Sequence, residues 1–219
     1  MALLAMFDRA AGEFEIDIGI GRQIPQALCL GIGRPIIDDG ARKMIERKIC
    51  FRKALDQIKA ATDKPFGINL ITNKSNIRFE EQLKTCIDYR VPFIITSLGS
   101  PQKTIEACKG TGMKVFCDVI DLDYAKKVEA MGCDAIIAVN NEAGGHAGKI
   151  SPRDLVTTLT KHCKVPVISA GGVGNGTQLK KMLDYGACGV SVGSPFIASD
   201  EAPVTQEYKM ACVNHGAKD

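Results

Sequence analysis

The chain has 219 residues, 45% of them hydrophobic and 24% charged, with 28 Lys and Arg against 25 Asp and Glu for a formal charge of +3. That balance suits one globular domain and excludes a disordered tail or a fibrous repeat. No long basic run supports a nucleic-acid surface, and the longest apolar runs, such as 135–139, have the length of a strand rather than of a membrane span, so the expected partner is a small molecule.

The start, Met1 to Phe7, is apolar but lacks a basic flank and soon meets Asp8 and Arg9, a poor secretory signal. Residues 14–20 alternate like a half-exposed strand, and residues 27–32 suggest another. From Pro65 onward one phrase repeats: a short apolar or β-branched run, a glycine-rich or polar connection, an amphipathic helix, and a turn residue leading into the next run. The predicted strands are 66–71, 93–97, 114–119, 135–139, 165–170 and 189–193, with centres roughly 20 to 30 residues apart, the length of one strand plus a crossover helix. Residues 121–131 place Leu122, Ala125, Val128 and Met131 on one helical stripe, with Gly132 as the C-terminal cap. Residues 177–186 close on a glycine in the same way.

Strict alternation of strand and helix admits a closed eightfold barrel or an open doubly wound sheet. Glycine-rich loops follow three late strands, at 140–148, 171–176 and 193–194, whereas an open dinucleotide fold puts its glycines after the first strand. The expected fold is therefore a TIM-type (β/α)8 barrel with six strand–helix units evident, incomplete by two. Residues 1–50 form an atypical N-terminal segment replacing the first barrel strands, and 51–219 the barrel portion. An open seam would leave strand edges that favour homo-oligomers.

Nine cysteines, an odd number, form no C-x-x-C pair and no metal-ligand spacing with the three histidines. Several sit within apolar runs, where a free thiol packs as a small hydrophobe, so they read as reduced and the compartment as cytoplasmic.

The chemistry concentrates in the three glycine loops. Adjacent parallel strands ending at Gly171-Gly172 and Gly193-Ser194 would bring both loops to one barrel edge, where bare amides and the Ser194 hydroxyl can approach an anion. A barrel's usual phosphate site lies in the loops after its last two strands. In the third loop His146 ends a buried strand on that same face, and an imidazole there could exchange a proton near neutral pH or merely cap a turn. Glu142 could pair with it or brace the loop. His162 and His215 stand on polar stretches and read as surface residues.

Asn140-Asn-Glu-Ala-Gly-Gly-His-Ala-Gly148, Pro166-Val-Ile-Ser-Ala-Gly-Gly-Val173 and Gly186-Ala-Cys-Gly-Val-Ser-Val-Gly-Ser-Pro-Phe196, in this order, resemble the nitronate monooxygenase (2-nitropropane dioxygenase-like) family, and Phe66-Gly-Ile-Asn-Leu70 is similar to its third-strand motif. The resemblance runs over roughly residues 52 to 218. It implies a barrel dependent on flavin mononucleotide (FMN) that oxidises alkyl nitronates with molecular oxygen. By matching motif, Asn69 and Gly144 would contact the flavin, Gly171, Gly172, Gly193 and Ser194 would hold its phosphate, and His146 would be the catalytic base. The flavin-dependent enoyl-acyl-carrier-protein reductases share the G-G-H and A-G-G elements, so the motifs do not separate the two chemistries. Val139 stands where the family usually has glutamine, and Pro195 where it commonly has arginine. With its different opening and early end, the chain is expected to be a truncated or rearranged member, and a catalytically incompetent remnant that keeps the phosphate-binding half is the third reading.

Overall fold

The computed structural model describes residues 3–6, 40–200, 202 and 204–214, with side chains from residue 51 onward. The strands expected at 14–20 and 27–32, and His215, lie outside the described residues. A short strand β1 (Leu3–Met6) and a helix α1 (Gly40–Ala61) precede a regular alternation: β2 (Gly67–Ile71), α2 (Phe79–Asp88), β3 (Phe93–Ser97), α3 (Gln102–Cys108), β4 (Lys114–Val119), α4 (Leu122–Met131), β5 (Ala135–Val139), α5 (Pro152–His162), β6 (Val167–Ala170), α6 (Gly176–Asp184) and β7 (Gly189–Val192). Two helices, α7 (Ser194–Ile197) and α8 (Gln206–Asn214), follow. The boundary expected at residue 50 falls inside α1.

The sheet order is β1-β7-β6-β5-β4-β3-β2. Strands β2 to β7 are all parallel, and β1 pairs with β7 antiparallel, with Leu3 opposite Val192. The two faces of this sheet bury different partners. One carries Leu70, Ile94, Val115, Ile136 and Val190 into a cluster with the helix residues Leu83, Val128, Leu155, Leu159 and Met182. The other packs Ile95, Phe116, Ala135, Ile137 and Ile168 among themselves, with the Phe93 and Phe116 rings stacked at 4.9 Å and no buried helix residue in the cluster. Helices on a single face are the mark of a barrel wall, since a doubly wound sheet is covered on both. Among the described residues the architecture is a partial TIM-type barrel of six parallel strands.

Local sequence explains the individual elements. Helix α4 begins at Asp121, whose carboxylate accepts from the Tyr124 amide at 2.8 Å, and ends at Gly132 in the left-handed region at φ 97°. Ala125 and Val128 of its predicted stripe are fully buried, whereas Met131 is 37% exposed. Ile136 and Ile168 are fully buried as well, and burial of such a side chain is worth about 1.5–3 kcal/mol. The thiols of Cys86, Cys108, Cys117 and Cys133 are free and buried, and burial pushes Cys86 up to about 12, so that thiol packs rather than reacts. No helix among the described residues is long and apolar enough to cross a membrane.

Candidate active site

The site is built on the C-terminal edge of β5, β6 and β7. Val139 lies opposite Ala170, and Ala170 opposite Ser191, so the chain leaves all three strands at one level of the sheet. The three glycine loops therefore start side by side, as the alternation predicts.

Asn140, the residue after β5, has no solvent exposure. Its Nδ2 donates to the Gly171 carbonyl at 3.2 Å and its Oδ1 accepts from the Glu142 amide at 2.8 Å. Its own amide donates to the Ala170 carbonyl at 3.1 Å, and its carbonyl accepts from Gly148 at 3.2 Å. One buried amide thus ties the β5 loop to the end of β6 and closes the loop on itself. Burial without these partners would cost several kcal/mol, on the order of 2 to 7.

The neighbouring glycines follow from this closeness. Gly171 and Gly172 have φ values of 110° and 73°, a region in which side chains are strained. A Cβ on Gly171 would stand 2.5 Å from Asn140 Oδ1, and one on Gly172 would overlap the Glu142 carboxylate. A Cβ on Gly144 would lie 2.9 Å from Ser194 Oγ, which brings the β5 loop against the start of α7. Ser194 is exposed beside half-buried Gly193, and His146 is exposed on the same loop as Gly144. Gly144, Gly171, Gly172, Gly193 and Ser194 are therefore brought together, and His146 follows Gly144 by two residues on the same loop.

Two details differ from the simplest form of the expected cradle. The Gly172 amide donates to the Glu142 carbonyl at 3.2 Å, so it spends its hydrogen on the loop rather than on an anion. No ion pair joins Glu142 to His146 among the described residues, and Glu142 braces the loop through its backbone.

Asn69 is not part of that group. It sits on β2, at the other edge of the parallel sheet, where it meets two residues that strand prediction alone does not single out. Ser97 Oγ, at the end of β3, lies 2.8 Å from Asn69 Oδ1 and 2.5 Å from Asp118 Oδ2 on β4. Burial raises the Asp118 carboxyl from its ordinary 3.8 to about 6, with the Ser97 hydrogen bond pulling the other way. An acid inside a predicted buried strand was the available signal for Asp118, and the i, i+2 alternation of Phe93, Ile95 and Ser97 for Ser97. For Asn140 it was an Asn closing an apolar run, two residues before the amide it caps.

The nitronate monooxygenase family model matches residues 73–219, which includes all three glycine loops. The chain belongs to that family. Among curated relatives of this nitronate monooxygenase family member, a (3aS,4S,5R,7aS)-5-hydroxy-7a-methyl-1-oxo-octahydro-1H-indene-4-carboxyl-CoA dehydrogenase of Rhodococcus jostii is 32% identical over 166 residues, 76% of this chain and 46% of the relative. A nitronate monooxygenase of Paraburkholderia phytofirmans is 27% identical over 235 residues, covering 86% and 61%. The solved structure of FabK from Thermotoga maritima superposes with a TM-score of 0.73 at 35% identity, over 77% of this chain and 54% of that one. The chain spans about half the length of the relatives it matches.

Proposed function

We propose that this chain carries the flavin-holding part of an oxidoreductase that oxidises alkyl nitronates with molecular oxygen, with FMN as cofactor. The observation that carries this reading is that the three glycine loops leave the sheet at one level and pack so closely, Gly144 against Ser194 and Gly171 against Ala143, that a side chain on either glycine would clash. Such loops suit a phosphate, because bare amides and a hydroxyl approach its oxygens without steric cost.

In this reading Gly171, Gly193 and Ser194 hold the phosphate through amides and the Ser194 hydroxyl. Gly172 contributes by keeping its position free of a side chain while its amide holds Glu142. Asn69 and Gly144 face the flavin ring, and the exposed His146 takes the carbon proton of a neutral nitroalkane. The flavin, when bound, supplies the redox chemistry. The buried free thiols support a reducing, cytoplasmic setting, and the β2 edge, unpaired among the described residues, supports self-association.

The carboxyl-CoA dehydrogenase relative favours a second reading, an oxidoreductase acting on an acyl thioester as the flavin-dependent enoyl-acyl-carrier-protein reductases do. Loading the purified protein with FMN and following oxygen uptake on addition of propyl nitronate tests the first reading. Anaerobic mixing with NADH or NADPH separates the two, since rapid bleaching of the flavin is expected of the reductase and an unbleached flavin of the monooxygenase. Protein that takes up no flavin would leave the catalytically incompetent remnant.

A further inference from the structure

Ser97 Oγ lies within hydrogen-bond distance of two oxygens, Asn69 Oδ1 at 2.8 Å and Asp118 Oδ2 at 2.5 Å. Both are acceptors when Asp118 is ionised, and a hydroxyl has one hydrogen to give. With Asn69 Oδ1 facing Ser97, both contacts are satisfied together when the Asp118 carboxyl is protonated and donates to Ser97, which then donates to Asn69. We propose that Asp118, Ser97 and Asn69 form a proton-dependent relay across the ends of β4, β3 and β2, in which the charge on Asp118 decides whether Asn69 presents a donor or an acceptor to the barrel interior.

The chemistry follows from the hydrogen count. With Asp118 neutral, Ser97 donates to Asn69 Oδ1, and Nδ2, the other end of the same planar amide, points away from Ser97 as a donor. When Asp118 gives its proton to water, Ser97 turns its hydrogen to the carboxylate. The Asn69 amide then gains by rotating half a turn, so that Nδ2 donates to Ser97 and Oδ1 faces away. Burial supports a switch in a useful range, because it lifts Asp118 to about 6. Among the described residues the titratable groups that sense Asp118 are Cys117 on its own strand and Tyr124 on α4, a thiol and a phenol rather than a cation. Tyr124 is further held by its hydroxyl donating to the Gly99 carbonyl at 2.6 Å. From β3 the facing group is the hydroxyl of Ser97, while Thr96 turns to Cys117 on the other face, and from β5 the apolar Ile137 lies opposite in the register. Asp118 and Ser97 are positioning residues acting through Asn69.

The test has a part that needs no flavin. In 15N-labelled, flavin-free protein the side-chain amide signals of Asn69, identified by their loss in Asn69→Ala, are expected to shift between pH 5 and 7.5 with a midpoint near 6. Asp118→Asn, which can donate to Ser97 at any pH, and Ser97→Ala, which keeps the carboxyl but cuts the chain, are each expected to abolish that shift. Signals that stay still in the native chain, or that titrate alike in both variants, overturn the proposal. A second readout rests on the flavin reading above: FMN titrated by fluorescence quenching should bind about tenfold tighter at pH 5 than at pH 8 in the native chain, relative to the same ratio in Asp118→Asn. Titration of the phosphate is common to both proteins and cancels in that comparison. Failure of every variant to bind FMN would retire the flavin reading, while the amide titration would still decide the relay.

Discussion

The side-chain amide of Asn140 donates to the carbonyl of Gly171 at 3.2 Å, joining the end of β5 to the end of β6 through a residue with no solvent exposure. Two of the three loops of the candidate site are thereby one mechanical unit, and their geometry depends on a single buried polar group.

Asn140→Ala is expected to lower stability by about 2 to 4 kcal/mol, because the Gly171 carbonyl and Glu142 amide lose their partner at the strand end. Urea unfolding checks the value. Asn140→Asp should keep the Glu142 contact but set a buried carboxylate against the Gly171 carbonyl oxygen, and so be at least as destabilising as alanine at neutral pH.

Replacing Gly171 by alanine should cost about 2 to 4 kcal/mol, the sum of a left-handed backbone penalty and overlap with Asn140 Oδ1. Gly176, at the start of α6, has open space around it, and Gly176→Ala should be neutral or stabilising by up to about 1 kcal/mol. Thermal melts of the pair distinguish a glycine required by close approach from one that is not.

Asp118 is neutral in the folded and unfolded chain alike below its ordinary pKa of 3.8, and charged in both above about 6. Because folding raises the pKa, its contribution is fully present at low pH and is lost as pH rises from about 4 through 6, a change of about 3 kcal/mol. The stability difference between Asp118→Asn and the native chain should therefore grow in the variant's favour between pH 4 and pH 8. Denaturant midpoints at the two pH values measure it, and an equal difference at both would show that burial does not penalise the charge.

His146→Ala should leave FMN binding unchanged, since the side chain is exposed. Turnover of neutral nitroalkanes should fall by about 10² to 10⁴, while preformed nitronates, which have no carbon proton to lose, should be oxidised nearly as before. Equal effects on both substrates would remove His146 from proton transfer.

Much of this molecule is legible in its residue order. The six parallel strands from Gly67 onward, the caps Asp121 and Gly132, and the common edge of the three glycine loops all follow from local rules. Apolar period, turn chemistry and strand–helix alternation act over short distances and so are written in neighbouring residues. What only the tertiary structure decided are the relations between distant segments. Gly172 spends its amide on Glu142, Asn140 closes the β5 loop onto β6, and Ser97 stands between Asn69 and Asp118 from three different strands. Such contacts depend on sheet order, register and burial. A side chain's partners, and the cost of its charge, are set by what the fold packs around it rather than by what precedes or follows it in the chain.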